Sequence, residues 1–470
     1  METTISDVQM VTPKKLSRLT LFAYGCGDFA SNLCWTFISS YLTIFYTDVV
    51  GLAPAVASAL LLVARIWDGI NDPMFGAIAE RTRTVKGRFR PYIYYGTPFL
   101  AIFSVLTFTV ISNDSSVALG WAAFTYIGCG MLYTVVNLSY GSLSTVMTTD
   151  PEDIAQLNSW RMMGTNLSSV IISAVTPPLL MYFSGGGQGY TAMGYTKVAI
   201  VFAICAVPLF YFVYSQCKET VIPPQSAVHV PVSQSIKSVL SNKPLMLIFA
   251  IQLLALTGVF GRLGVVIYYL IYDVQRFDLI ALFMALPTVF TVLGIFAMKG
   301  KIVAYGKKRM AAIGYIMSGL TLIALYFVGE TQGYTNIPVL LGISCLFGLS
   351  CFSMPIPMAM IVDAINYQEE RTGVRSDGIS YAAVSLSTKF GAAIGASAGL
   401  IIMGATGYVA NTQQTAAAMS GINMTANLLM GIVFLCCLIP LWLYPLNEEK
   451  NAEILASLEK KRAQRALENA

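Results

Sequence analysis

An all-α integral membrane protein of about twelve transmembrane helices is what this sequence predicts, and three observations predict it. Of 470 residues, 56% are hydrophobic and only 11% charged, against roughly 25% charged in an ordinary soluble domain. Nearly uncharged apolar runs recur along the whole length, and about 20 such residues at 1.5 Å rise cross a hydrocarbon core. Basic residues gather in alternate loops between those runs, as the asymmetric loops of a multi-pass chain do.

The runs are Leu19 to Tyr46, Ala55 to Glu80, Tyr92 to Ile111, Leu119 to Met147, Met162 to Phe183 and Val198 to Gln216, then Leu245 to Tyr272, Leu279 to Met298, Met310 to Val328, Pro338 to Ala364, Gly378 to Ala405 and Met424 to Tyr444. Membrane helices tolerate internal proline where neighbours re-satisfy the backbone, so Pro355 and Pro357 read as bends in the tenth run. Residues 1–18 are polar and have no signal-peptide pattern, which predicts an uncleaved first span. The nine cysteines show neither a disulfide framework nor metal-ligand spacing and read as small core residues.

Lys14, Lys15 and Arg18 come first, then Arg81, Arg83, Lys86, Arg88 and Arg90, then Lys299, Lys301, Lys307, Lys308 and Arg309, and last the stretch from Lys450 to Arg465. Arg276 and Lys197 fall on the other side. The positive-inside rule then places both termini in the cytoplasm of a bacterial inner membrane. The longest polar interval, rich in Pro, Ser and Gln, separates residues 19–216 from 245–446 as a central cytoplasmic linker, 217–244. Residues 447–470 form a charged amphipathic tail. The loops AERTRTVKGRFRP and KGKIVAYGKKRM sit at matching places in the two parts, the repeat expected of a major facilitator fold of two six-helix halves with a substrate site between them.

A carboxylate at the bilayer centre costs at least about 2.5 kcal/mol, so each one kept there needs a partner or a task. Asp28, Asp68, Asp72, Asp363 and Asp377 fall in or at the ends of the runs, with Arg65, Arg262 and Lys389 as basic counterparts. In ARIWDGINDP, Asp68, Asn71 and Asp72 share one helical face. With a hydroxyl such as Thr134 they offer hard oxygen ligands for a sodium ion, or carboxylates for a proton. The alternative is structural, with Arg65 neutralising Asp68. The one histidine, His229, lies in the linker, so carboxylates must carry any coupling. No nucleophile with a base, metal cluster or phosphate loop is present, which argues against an enzyme, and no cofactor or nucleic-acid partner is implied.

Together with FYTDVVGL, KGRFRP, YTVVNLSYGSL, AQLNSWR, GRLGVVIYY and TGVRSDGISY, the ARIWDGINDP stretch resembles the glycoside-pentoside-hexuronide:cation symporters over almost the whole chain. The resemblance implies a sugar symporter working by alternating access, with Asp68 and Asp72 holding Na+ or H+ and Asn71 and Thr134 assisting. It implies a sugar pocket of Ser31, Asn32, Tyr133, Asn137, Gly141, Arg161, Ser385 and Lys389. The galactoside-carrying members have charged or bulky residues where this chain has Ser31, Asn32, Asn137 and Gly141, so their pocket is not preserved. NLSYGSL, TGVRSDG and GYVANTQQT look most like the glucuronide-carrying branch. That likeness and the retained Arg161 and Lys389 favour an anionic sugar, with a proton-coupled or uncoupled carrier of neutral pentosides or glucosides as the alternative. Arg262 either lines the cavity or makes a structural contact with Asp28 or a backbone carbonyl. Lys389 either bridges sugar and cation acids or makes a plain salt bridge to Asp68 or Asp72. Asp363, Glu369, Arg375 and Asp377 are expected to form cytoplasmic gate salt bridges, weakened where the chain reads DAINYQE. Membrane lipid is the remaining expected partner, and a monomer suffices because one chain holds both halves.

Overall fold

A computed structural model describes residues 15–112, 114–148, 150–186, 189–220, 241–372 and 377–468. Arg375, His229 and most of the central linker lie outside the described residues, as does the side chain of Asp377. The described chain is helical, with helices α1 (Arg18–Ile44), α2 (Pro54–Arg81), α3 (Arg90–Thr107), α4 (Ser115–Met147), α5 (Pro151–Phe183), α6 (Ala192–Gln216), α7 (Lys243–Tyr268), α8 (Ile280–Tyr305) and α9 (Lys307–Gln332). There follow α10 (Ile337–Ser350), α11 (Ile356–Thr372), α12 (Asp377–Ala405), α13 (Ala416–Asn423), α14 (Met430–Cys436), α15 (Leu438–Leu443) and α16 (Glu448–Glu468).

Local chemistry sets the helix starts. Ser17, Asp114, Asp150, Thr191 and Asn242 each accept a first-turn backbone N–H, a cap contributing about 0.5–2 kcal/mol. Proline, which has no N–H to lose there, opens α2, α3, α5, α7 and α10. The tenth sequence run breaks as its prolines suggest: α10 ends at Ser350 and α11 resumes at Ile356, with Pro355 in the gap. Several expected boundaries shift, among them two helix starts. The fifth helix begins at Pro151 rather than Met162, and the last begins at Ala416 rather than Met424, because both added stretches are polar or small-residue turns that hydropathy alone passes over.

Among the described residues, nine helices are long and apolar enough to cross a membrane. Of comparable length or shorter, α1, α2 and α3 fall outside that set. They carry Asp28, Arg65, Asp68 and Asp72 or a Tyr-rich start, and such groups lower mean hydropathy where a site is being built.

Backbones approach closely at small residues, as membrane helices do without a hydrophobic force between them. A Cβ on Gly164 would lie 2.2 Å from the Gly25 carbonyl oxygen, pinning α5 to α1, and one on Gly395 would lie 2.4 Å from the Thr257 carbonyl, pinning α12 to α7. The α1–α5 and α7–α12 pairs are among the most extensive contacts; α2 also packs on α12, and α5 on α8. Helix α16 lies against α11, burying Ile454 and Leu458. The tail is thus the amphipathic helix its composition predicts.

Candidate functional site

Helix α2 builds the floor of the site by spacing alone. Arg65, Asp68 and Asp72 follow one another at three- and four-residue steps and face a central cavity of 410 Å³, walled further by α1, α4, α5, α7 and α12. Asp68 is buried and reached by Arg65 Nη1 at 3.6 Å. Helix α4 makes room for it at Gly130, where a Cβ would sit 2.8 Å from Asp68 Oδ1. One turn on, Thr134 donates its hydroxyl to Asp72 Oδ1 at 2.7 Å. From α12, Lys389 ion-pairs with Asp72 and donates to the Asp68 backbone carbonyl at 3.4 Å. A positive charge therefore already sits beside both acids.

On the opposite wall, Arg161 of α5 reaches Asp28 of α1, Nε to Oδ1 at 3.4 Å, and Asp28 also accepts the Thr165 hydroxyl. This pair holds the guanidinium by one edge. A Cβ on Gly141 would lie 3.5 Å from Arg161 Nη1, so the absence of a side chain there leaves the other edge of the guanidinium open to the cavity. Trp35 stacks on Tyr133, centroids 4.3 Å apart at 22°, with the Arg65 guanidinium 4.6 Å from the indole centroid.

The cavity brings together Asp68, Asp72, Thr134, Tyr133, Asn137, Gly141, Arg161, Ser385 and Lys389. Other expected site residues stand behind it. Ser31 donates to Asn137 Oδ1 at 3.2 Å, and Asn32 donates to the Asp28 backbone carbonyl at 2.8 Å, so both orient wall residues. Asn71 is buried beside the acids, and its amide nitrogen has no hydrogen-bond partner among the described residues. Arg262 does not line the cavity: it is buried, donates to the Ala426 carbonyl at 3.2 Å and to the Asn427 side chain, and covers Phe347. Its contact is structural and includes a backbone carbonyl, while Asp28 is held by Arg161 instead.

At the end where the chain begins, Asp363 pairs with Lys307 at 2.7 Å, a bond between α11 and α9 rather than to the basic loop after α2. Gln368 accepts the Asn242 amide at 3.0 Å, an uncharged contact in the same region. Glu369 lies on the same helix, α11, near its end. The basic loop itself is held by Glu219, which accepts the backbone N–H of Arg88, Phe89 and Arg90 at 2.7, 2.7 and 3.1 Å. Sequence reasoning missed Glu219 and Trp35. The indole one turn past Asn32 on the same helix was the available signal for Trp35; Glu219 had none, lying in a polar interval.

The fold is that of the major facilitator transporters. The xylose transporter XylE of E. coli, in a partially occluded inward-open conformation, superimposes with a TM-score of 0.63 at 12% identity over 92% of this chain and 98% of that one. The nucleoside transporter NupG gives 0.58 at 13% over 90% and 99%. Residues 23–448 match the MFS/sugar transport protein family. Among relatives, the isoprimeverose transporter of Lactiplantibacillus pentosus is 32% identical over 94% of this chain and 91% of its own. The glucuronide carrier protein homolog of Escherichia coli K12 is 29% identical over 96% and 97%, and a putative glycoside/cation symporter of that strain 28% over 95% and 97%. The chain belongs to the MFS/sugar transport family, among the glycoside-pentoside-hexuronide:cation symporters. It is a multi-pass membrane transporter and not an enzyme.

Proposed function

We propose that this protein couples uptake of a glycoside, of the hexuronide or another anionic class, to Na+ or H+ by alternating access. Asp68 and Asp72, with Asn71 and Thr134, hold the cation, and Lys389 passes its arrival to the sugar pocket. Tyr133, Asn137, Gly141, Arg161 and Ser385 meet the sugar. The observation that carries this reading is that acids, lysine and sugar-facing groups share one cavity, so occupancy of one part alters the charge seen by the other. Arg65, Arg161 and Lys389 line that cavity against Asp68 and Asp72, and Asp28 behind Arg161 brings the balance of formal charges to zero. A bound cation makes it positive, which suits an anionic sugar. Neutral glycosides are the second reading, favoured by the stacked Trp35–Tyr133 wall and by the name of the isoprimeverose relative.

In this account twelve spans form two halves, residues 19–216 and 245–446, with the linker and both termini in the cytoplasm of a bacterial inner membrane and a monomer as the working unit. The matching α1–α5 and α7–α12 contacts and the alternate basic loops support it. Asp363, Glu369, Arg375 and Asp377 serve the cytoplasmic gate. Reciprocal linkage is the test: titrating the purified transporter with a glucuronide, with and without sodium or at two pH values, is expected to show each ligand tightening the other. Sugar affinity indifferent to both ions would overturn coupling.

A further inference from the structure

Two sequence motifs have no part in the pocket, FYTDVVGL and GYVANTQQT, and the fold brings them together. Asp48, in the wide turn Phe45–Val49 that ends α1, accepts the hydroxyls of Thr47 and Tyr408, each at 2.5 Å, and that of Tyr272. Its backbone carbonyl accepts the Asn411 amide at 2.5 Å, and the Asn411 backbone N–H donates to the Tyr272 hydroxyl at 3.1 Å. Alongside, the hydroxyls of Thr47 and Tyr268 share a hydrogen bond at 2.7 Å. Tyr408 packs edge-on against Tyr268 and Tyr272, both at 5.4 Å.

The seam continues toward the cavity. Thr43 donates to the Gly264 carbonyl at 3.0 Å, and Ser58 and Ser397 each donate to the other's backbone carbonyl, at 3.1 and 3.3 Å. Apart from the Thr47–Asp48 bond, all of these hydrogen bonds to residues 43–58 come from, or go to, residues 264–411. They cluster at the far end of α1 from the chain's start.

We propose that Asp48, with Tyr272, Tyr408 and Asn411, is the latch that seals the cavity toward the outer face and comes apart in every transport cycle. Two features fit a latch better than a permanent clamp. Hydrogen bonds to an ionised acceptor are short and about twice as strong as neutral ones, so a few hold the seam shut. Their donors are uncharged, so opening leaves no buried cation behind, and the freed carboxylate and phenols turn to water. None of these residues lines the cavity, so the latch is separable from sugar and ion binding. The inference goes beyond the pocket assignment, and its outer-face placement rests on the loop-charge orientation.

The test places a reporter thiol at the cavity-lining position, Ala392→Cys, and follows its reaction with a membrane-impermeant maleimide in right-side-out and inverted vesicles, over the background of the native cysteines. Tyr272→Phe with Tyr408→Phe removes two hydroxyls and keeps both rings; Asp48→Asn removes the charge. Both variants are expected to speed labelling from outside at least about tenfold, the effect of losing a single charge-assisted bond. Labelling from outside that stays unchanged in both overturns the latch. A second measurement does not depend on weakening the fold: oxidising a Ser58→Cys, Ser397→Cys pair is expected to stop sugar uptake, and reduction to restore it. Uptake that continues through the cross-linked pair overturns the proposal as well.

Discussion

Arg161→Gln separates the anionic-sugar reading from the neutral one. The guanidinium is fixed at Nε by Asp28, its side chain is 34% exposed, and its other edge faces the space left by Gly141. A sugar carboxylate meeting that edge makes a charge-assisted bond of about 1.5–3 kcal/mol, or roughly 10- to 150-fold in affinity at about 1.4 kcal/mol per decade. Glutamine keeps amide donors but loses the charge. A neutral glycoside meets that edge through a hydroxyl, without the opposite charge of a carboxylate, and is expected to lose less, under roughly tenfold. The assay is calorimetric binding of a glucuronide and its neutral glucoside counterpart to purified protein in saturating sodium. Thermal unfolding measured in parallel reports what the unpaired Asp28 costs the fold. Equal losses for the two sugars, or no loss for either, would refute the role given to Arg161.

Gly130→Ala drives a Cβ to within 2.8 Å of Asp68 Oδ1, and the sodium concentration for half-maximal uptake is expected to rise severalfold while sugar binding in saturating sodium is kept. Gly164→Ala puts a methyl against the Gly25 carbonyl, an overpacking of about 1–3 kcal/mol, read as a lower unfolding temperature in detergent. Arg262→Met removes hydrogen bonds to Ala426 and Asn427 and is expected to lower thermal stability without changing sugar affinity; a loss of affinity at unchanged stability would return Arg262 to the pocket. Glu219→Gln weakens three bonds to the loop after α2, and trypsin is expected to cut after Arg88 several times faster in inverted vesicles.

The shared face of Asp68 and Asp72 was legible because it lies on a single helix: two residues four apart project together whatever the tertiary arrangement. Tyr133, Asn137 and Gly141 came instead from the family resemblance, and the fold sets them at four-residue steps along α4 on one wall of the cavity. What the sequence left open were pairings between helices. Nothing local distinguishes Arg161 as the partner of Asp28, or tells whether Lys389 meets Asp68 or Asp72; the fold places it on the carboxylate of one and the carbonyl of the other. Arg262 stayed open between two readings because intramembrane charge is a signal of cost, which a backbone carbonyl and an asparagine can meet as well as a substrate can. The Asp48 cluster was hidden for a related reason, since Tyr272 and Tyr408 lie more than 200 residues from Asp48 and only the fold brings their hydroxyls to its carboxylate.

The central claim is that the acids of α2 convert an ion gradient into sugar accumulation. Uptake of labelled glucuronide and of a neutral glycoside panel into vesicles, under imposed sodium or proton gradients, tests it most directly when wild type is compared with Asp72→Asn. Accumulation driven by one gradient and abolished by the substitution is the predicted result. Accumulation indifferent to every gradient and to the loss of Asp72 would contradict the account, leaving a facilitator in which the carboxylates only balance Arg65 and Lys389.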